Sequence, residues 1–518
     1  MTTGTITPYR SHVRAGRDGF GQLLHAEWTK FRTVRGWVIG MIAAAVVTVL
    51  LGLFAASGIG ASCNGHACSV AVGPGGGAVT DSFYFVHRTL NGDGSITVRV
   101  TSLTGGATSD NPGGGGTAAQ PWSKAGIIIK QGTRQGSAYA AMLVTGSHGV
   151  RMQYNYTGDT AGPAGAVSAA SPRWLRLTRS GDTLTGYESA NGRTWTRVGT
   201  VGLAGLSPAV QAGLFVSSPP YARVTSQHLF GSSGVTNGPT TATAVFDHVS
   251  THGIGPGGAW RGQQLGGDTD LVQGGGYHQA DGRFTVSGSG DIAPLVAGPA
   301  TLGVTVEHVL AGAFAGLIVV VVVGAMFISA EYRRGMIRTT VTASPRRGRI
   351  LVAKAIVIGA AAFVAALAAT ATVVPLGEGM VRRNGNVVYP VAPLTEVRVV
   401  AGTAALIAVA AVLALAIGAI LRRSAAAVTA VIVVIVLPYI LARPAVLPVG
   451  AAQWLLRITP AAGFAIQQSL PQYPQVSNAY TPLNGYYPLA PWAGFAVLCG
   501  YAALALGLAI YLVRRRDA

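Results

Sequence analysis

Charge is what this chain has least of. Charged residues occupy 11% of its 518 positions, against about 25% in an average soluble domain. Six stretches carry none at all: 37–56, 309–330, 355–376, 399–421, 425–442 and 492–513. Ionisable groups inside spanning segments mark ion and proton pathways, so their lack argues against a self-sufficient pump or ion-coupled carrier. Lysine is scarcer still: Lys30, Lys124, Lys130 and Lys354 are the only four, and none precedes Ser or Thr. That excludes a GxxxxGK[ST] loop, whose backbone amides cradle nucleotide phosphates. No HExxH helix and no GxSxG elbow occurs either, and no constellation meets the requirements of an intramembrane enzyme. Cys63 and Cys68, with His66 between them, make three ligands where a structural zinc site needs four; the remaining Cys499 lies inside the sixth apolar stretch, and no fourth is evident nearby.

What the chain does have is length without charge. At about 1.5 Å per residue, roughly 20 apolar residues cross the ~30 Å hydrocarbon layer. Five of the stretches reach that length and 425–442 falls slightly short, so the sequence predicts a polytopic membrane protein with six spanning helices. The first stretch is too long for a signal core of about 7–15 residues and lacks a small-residue cleavage pattern. It is expected to stay as a retained helix.

The net charge of +19 gathers at alternate ends of these stretches, which points to a membrane surface and not to nucleic acid. Arg10, Arg14, Arg17, Lys30, Arg32 and Arg35 precede the first; Arg333, Arg334, Arg338, Arg346, Arg347, Arg349 and Lys354 join the second to the third. Arg422 and Arg423 separate the fourth from the fifth, and Arg514, Arg515 and Arg516 follow the sixth. If every stretch crosses, these four clusters share one side, and the positive-inside rule makes that side the cytoplasm, with both termini inside. Residues 57–305 lie on the other side, with 14 Lys and Arg against 11 Asp and Glu, a net of +3.

That segment has a different texture, rich in Gly, Ser and Thr with short alternating runs. Residues 95–103 alternate Ile96, Val98 and Val100 with Thr97, Arg99 and Thr101, the period of a half-buried strand. Further strands are expected at 125–130, 174–179, 212–217 and 243–249, with more over 251–300 on the return to the membrane. Asn191-Gly192 predicts a tight hairpin turn. The fold expected is an all-β sandwich, jelly-roll-like. The run Trp174-Leu175-Arg176-Leu177, with Arg179, Tyr187, Ser189, Asn191-Gly192 and Trp195, resembles the core hairpins of concanavalin-A-like, laminin-G-like domains. That family includes carbohydrate binders, so an extracellular ligand of the sandwich is one expectation. Trp174 and Trp195 are read as core aromatics and not as sugar platforms. In an oxidising exterior, Cys63 and Cys68 are candidates for a disulfide closing a small loop. The Ala, Gly and Arg bias points to a bacterium, which leaves the sequon at Asn155 unused.

Two of the basic segments look built for more than anchoring. Phe20, Leu23, Leu24, Trp28 and Phe31 share one helical face with Lys30 and Arg32 off it, as in an amphipathic helix lying in the membrane interface. Residues 331–354 read as a helical hairpin: one helix leaves the second span through Glu331, and Ser344 and Pro345 start the next. LLHAEWTKFRTVRGW before the first span, SAEYRRGMIRTTVTASPRRGRILVAKAIV around the hairpin and a last span ending in RRRDA resemble permease subunits of ABC-2-type exporters.

The resemblance implies a subunit with no ATPase and no cofactor of its own. A separate ATPase subunit would carry ATP and Mg, and two permease halves would pair as a homo- or heterodimer. Glu27, Trp28, Lys30 and Arg32 would belong to the interfacial helix, and Glu331, Arg333, Arg334, Arg338, Arg346 and Arg347 to the hairpin that couples to the ATPase. The expected order is thus a leader at 1–36, the first span at 37–56, a sandwich at 57–305 and the second span at 306–330. The coupling hairpin at 331–354 and four more spans over 355–518 follow, with a re-entrant segment near 444–487. The function expected is outward transport powered by a partner. The competing reading is a membrane-anchored surface binder or sensor acting through the sandwich, for which six spans are excessive.

Overall fold

The computed structural model describes residues 19–61, 69–106, 118–226, 233–253, 258–267, 272–298, 303–333, 347–442, 447, 449–476, 478 and 480–515. Among them are six helices long and apolar enough to cross a membrane: Arg35–Ser57, Gly312–Arg333, Gly348–Arg383, Pro393–Leu421, Ser424–Leu441 and Pro491–Arg515. We call them spans 1 to 6. The chain is a multi-pass membrane protein with an all-β sandwich inserted between its first two spans.

Span 4 is the hub of the bundle, packing on spans 2, 3 and 6. Spans 1 and 2 approach closely because Gly312 and Gly316 leave room for the backbone and side chain of Thr48. Small residues are the usual device where lipid supplies no hydrophobic drive for helices to associate. Span 3 runs 36 residues, about 54 Å at the α-helical rise, and so projects beyond the hydrocarbon layer. Span 5 is interrupted by a π-helical turn at Ile432–Val436, just ahead of Pro438.

The basic clusters collect at one end of the bundle. Arg422 stacks over the Tyr332 ring at 5.2 Å, which joins the turn after span 4 to the end of span 2. Arg514 of span 6 lies against Gly348 at the start of span 3. The sandwich sits at the opposite end.

The sandwich is built from two seven-stranded antiparallel sheets. The first runs, edge to edge, Thr196–Gly202, Thr183–Ser189, Arg173–Ser180, Gly94–Gly106, Thr241–His252, Arg283–Gly288 and Gly276–Ala280; the second runs Arg261–Leu265, Phe83–Asn91, Ala209–Ser217, Lys124–Lys130, Tyr139–Thr145, Val150–Tyr154 and Gly158–Ala161. Alternation supplies the core: Ile96, Val98, Val100, Leu175, Leu177 and Phe246 of the first sheet meet Val86, Ile127, Ile129, Met142 and Leu214 of the second. All five strands expected from the alternating runs are present.

The outer face of the second sheet is covered by a small third layer of Ala71–Val72, Ala78–Asp81 and Ile292–Pro294. Two lysines with no exposed surface fasten it: Lys124 donates to Asp291 at 2.6 Å, and Lys130 to Asp81 at 2.7 Å. Tyr156 donates to the same Asp81 oxygen as Lys130, and burial, then the Asp81 charge, pushes the phenol well above its ordinary range.

Two expectations are corrected here. Asn191-Gly192 does not form a two-residue turn but sits within a six-residue connection between Ser189 and Thr196. Asn191 Oδ1 accepts the backbone amides of Arg193 and Thr194, while Ser189 Oγ accepts those of Asn191 and Gly192. Only Gly192 takes the positive φ, +73°. Nor are Trp174 and Trp195 core aromatics. Leu175 and Leu177 take the inward positions, so Trp174 and Arg176 point to the other face. Arg176 covers the Trp195 ring at 3.8 Å, and Arg99, paired with Asp247, stands 5.7 Å from Trp174.

The sandwich is seated on the membrane domain. Asn478 donates to the carbonyl of Ala297, whose amide donates to Tyr486 Oη; Gln475 donates to the Thr157 carbonyl. Val304, on the return path, pairs with Val388 from the link between spans 3 and 4. Around them Val296, Ala297, Tyr389 and Tyr486 form a small buried cluster. Between spans 5 and 6 stand a short helix, Val449–Ile458, and a 3-10 segment, Pro460–Gln467, whose eight residues are all buried. Such broken backbone is tolerated at membrane depth where protein surrounds it.

Candidate functional site

At the basic end of the bundle, helix Phe20–Thr33 lies against the ends of spans 2 and 3. Its inward face carries Leu24 and Phe31, and between them Glu27, which has no exposed surface. A carboxylate removed from water needs a cation, and the start of span 3 supplies one. Lys354, also without exposed surface, donates at 2.6 Å to Glu27 Oε2 and at 2.6 Å to Glu331 Oε1 at the end of span 2. Lys30 closes the set, 2.9 Å from Glu27 Oε1 and 3.6 Å from Glu331 Oε1.

Two carboxylates and two ammoniums therefore balance, and three chain segments meet on them. Lys354 Nζ lies 4.9 Å from the centre of the Phe327 ring, and the edges of Phe31 and Trp37 meet Phe327 at 6.0 and 5.7 Å. This aromatic collar keeps water from the pair. Burial pulls the Lys30 ammonium down, but the hydrogen bond and charge of Glu27, then Glu331, more than offset it and leave its pKa above the ordinary value. Glu331 Oε2 is buried with no hydrogen-bond partner among the described residues. The arrangement ties helix Phe20–Thr33 to the ends of two spans.

The residues expected at this end separate into three groups. Glu27, Lys30 and Glu331 are brought together. Trp28 stacks on Phe31 at 5.9 Å yet stays 43% exposed, and Arg32 and Arg333 are exposed. Arg334, Arg338 and Arg346 lie outside the described residues, as do Cys63 and Cys68; Arg347 begins the helix that leads into span 3.

Lys354, the centre of the tie, belongs by sequence to the basic cluster between spans 2 and 3. Its signal was local: a lone lysine in VAKAIV, flanked on both sides by apolar residues, is placed where only a buried acid can pair with it. The other feature missed is at the opposite end. A cavity of about 160 Å³ opens between Val306–Val309, span 5 and the buried 3-10 segment, with Glu307 in its wall. A second, of about 520 Å³, separates the sandwich from the segment carrying Leu470 and Tyr473.

Comparison with known proteins adds to this geometry. Among solved structures, a functionally unknown protein from Saccharomyces cerevisiae is 15% identical, with 36% of this chain and 82% of that one covered and a TM-score of 0.22. Scytalido-glutamic peptidase with a transition-state analogue inhibitor is 6% identical, covering 42% and 100%, with a TM-score of 0.23. Alginate lyase from Klebsiella pneumoniae is 13% identical, covering 32% and 61%, at 0.16. Likenesses this low carry no activity over to this chain. No curated protein sequence matches it. The family model described as ABC-2 family transporter protein matches residues 153–518, all of spans 2 to 6 and the ends of spans 2 and 3 that hold Glu331 and Lys354, and the chain belongs to that family.

Proposed function

We propose that this chain is the permease subunit of an ATP-driven exporter and that it takes its power stroke from a separate ATPase subunit docked at the basic end. The observation that carries this reading is the Glu27–Lys354–Glu331 tie. An ATPase pushing on the exposed groups around it, Arg32 and Arg333 among them, would move the interfacial helix and spans 2 and 3 as one body. Spans 2 and 4 pack together, so that displacement passes into the centre of the bundle.

ATP and Mg belong to the partner; this chain holds neither. The basic end faces the cytoplasm, with both termini, and residues 57–305 face outside. Two permease halves form the pathway, as a homo- or heterodimer. Only 22% of the apolar stretch of span 1 and 17% of that of span 6 is buried, leaving faces for lipid or for the second half. ATP shifts the two arrangements only through contacts that differ between them, and the exposed charges around the tie are the groups that make them.

Co-purification tests this. Tagged full-length protein from its native membrane should retain an ATPase subunit, and Arg333→Glu should loosen it. Glu331 is the wrong residue for that test, because its side chain faces the tie and a reversal there disrupts folding. An active chain that purifies with no companion would refute the proposal.

A further inference from the structure

Glu307 is an acid that the coupling at the other end of the bundle does not use. It sits on the single turn Val306–Val309, between the sandwich and span 2, and lines the 160 Å³ cavity. The same cavity is lined by three aromatic rings, Phe314 of span 2, Tyr439 of span 5 and Phe464 of the buried 3-10 segment. Their centres are 4.3 to 6.0 Å apart and their planes tilt 31° to 40° to one another. They form a continuous aromatic wall. The carboxylate is held in place by Ser469, whose hydroxyl donates to Oε2 at 2.6 Å. Gly485, at φ +82°, leaves the space the carboxylate occupies, since a Cβ there would collide with Oε1.

The geometry points to a site for a small organic cation, a quaternary or primary ammonium group seated between the Glu307 carboxylate and the Phe314–Tyr439–Phe464 wall. Aromatic faces attract such cations through their negative quadrupole, most strongly where water is excluded, and the carboxylate supplies the neutralising charge. About 160 Å³ suits a trimethylammonium head and not a bulky drug. The chemistry fits a lipid amine headgroup entering from the outer leaflet or a free cation in transit. The site stands on its own geometry, whether or not an ATPase is bound.

Burial lifts the Glu307 carboxyl, against its hydrogen bonds from Ser469, to about 7. Facing it are His308 on the same turn, Arg398 from span 4, Tyr439 from span 5, and Tyr486 and Tyr487. Arg398 is held on the carbonyls of Ile466 and Gln468. Of these neighbours only a histidine ordinarily titrates near neutral pH.

The test uses the purified full chain in phosphatidylglycerol nanodiscs, titrated by calorimetry with choline and with 3,3-dimethyl-1-butanol, its neutral isostere. Choline should bind at least roughly tenfold more tightly. Glu307→Gln should remove that preference and leave the isostere unchanged, and Phe464→Ala should weaken both. Choline affinity should fall between pH 8 and pH 6 in the wild type and in His308→Gln, but not in Glu307→Gln. Equal binding of the two compounds to the wild type would overturn the inference whether or not any variant folds. So would a choline preference that survives Glu307→Gln. If phosphatidylethanolamine discs compete with choline, the occupant is a headgroup; if they do not, it is a free cation.

Discussion

Replacing Lys354 with Met removes the fully buried cation that hydrogen-bonds both Glu27 and Glu331 at 2.6 Å while keeping an unbranched apolar stem. Both carboxylates then face each other across the space the ammonium held, with Lys30 alone to balance them. Lys30 cannot take over: its side chain is 43% exposed and already 2.9 Å from Glu27. Breaking a buried pair by removing one partner costs about 3–5 kcal/mol, because the charge left behind has no solvent. On the scaling for domains of 150–250 residues, that is a fall of roughly 6–20 °C in melting temperature.

The charge argument is separable from packing. Glu27→Leu, Glu331→Leu and Lys354→Met combined should recover most of the loss, since well-packed apolar side chains of similar volume can replace a buried ionic set at little cost. The assay is thermal unfolding of the full chain in detergent, followed by size exclusion. The reasoning is refuted if Lys354→Met melts within about 1 °C of the wild type, or if the triple variant is less stable than the single one.

Other outcomes follow from the same structure. Lys130→Met should cost a similar 3–5 kcal/mol, because Asp81 is left buried with only Tyr156 and the Gly136 amide to satisfy it; proteolysis would then cut first between Ala71 and Asp81. The Arg99 hydrogen bond holds Asp247 below its usual range. The stability this pair contributes is therefore present above the unfolded value of about 3.9 and is lost as pH falls through the lower folded value. Asp247→Asn should thus destabilise the sandwich at pH 6 and match the wild type near pH 2, as read by tryptophan fluorescence. Gly485→Ala meets both the positive φ and the Glu307 carboxylate, and should lower choline affinity with little change in ATPase association. Deleting residues 60–300 should leave that association intact, since none of the described residues of the sandwich reaches the tie; loss of binding on co-purification would contradict this.

The spans and strands were legible because each rests on a pattern that needs no partner. An uncharged run of about 20 residues has one stable placement, and Ile96, Val98 and Val100 alternate whatever they pack against. The third layer was not legible, because Lys124 and Lys130 bracket the apolar run AGIII and charge normally marks a strand's exposed ends. Their partners Asp291 and Asp81 lie 167 and 49 residues away. The functional ends show the same limit. Apolar periodicity found helix Phe20–Thr33 and put Leu24, Trp28 and Phe31 on one face; the structure turns Leu24 and Phe31 inward with Glu27 between them and leaves Trp28 exposed. Pairing with Lys30 and with Lys354, 327 residues on, makes that burial possible. Glu307 was hidden for a related reason: it stands next to a span, and its aromatic wall comes from three separate elements.

The central claim is that this chain forms the passage and a neighbour supplies the energy. Nucleotide hydrolysis by the complex purified from native membrane, measured again after the companion subunit has been stripped away, tests it most directly. The account predicts that activity leaves with the companion and returns when it is added back to the wild type, but not to Arg333→Glu. Hydrolysis that stays with the stripped chain would contradict it.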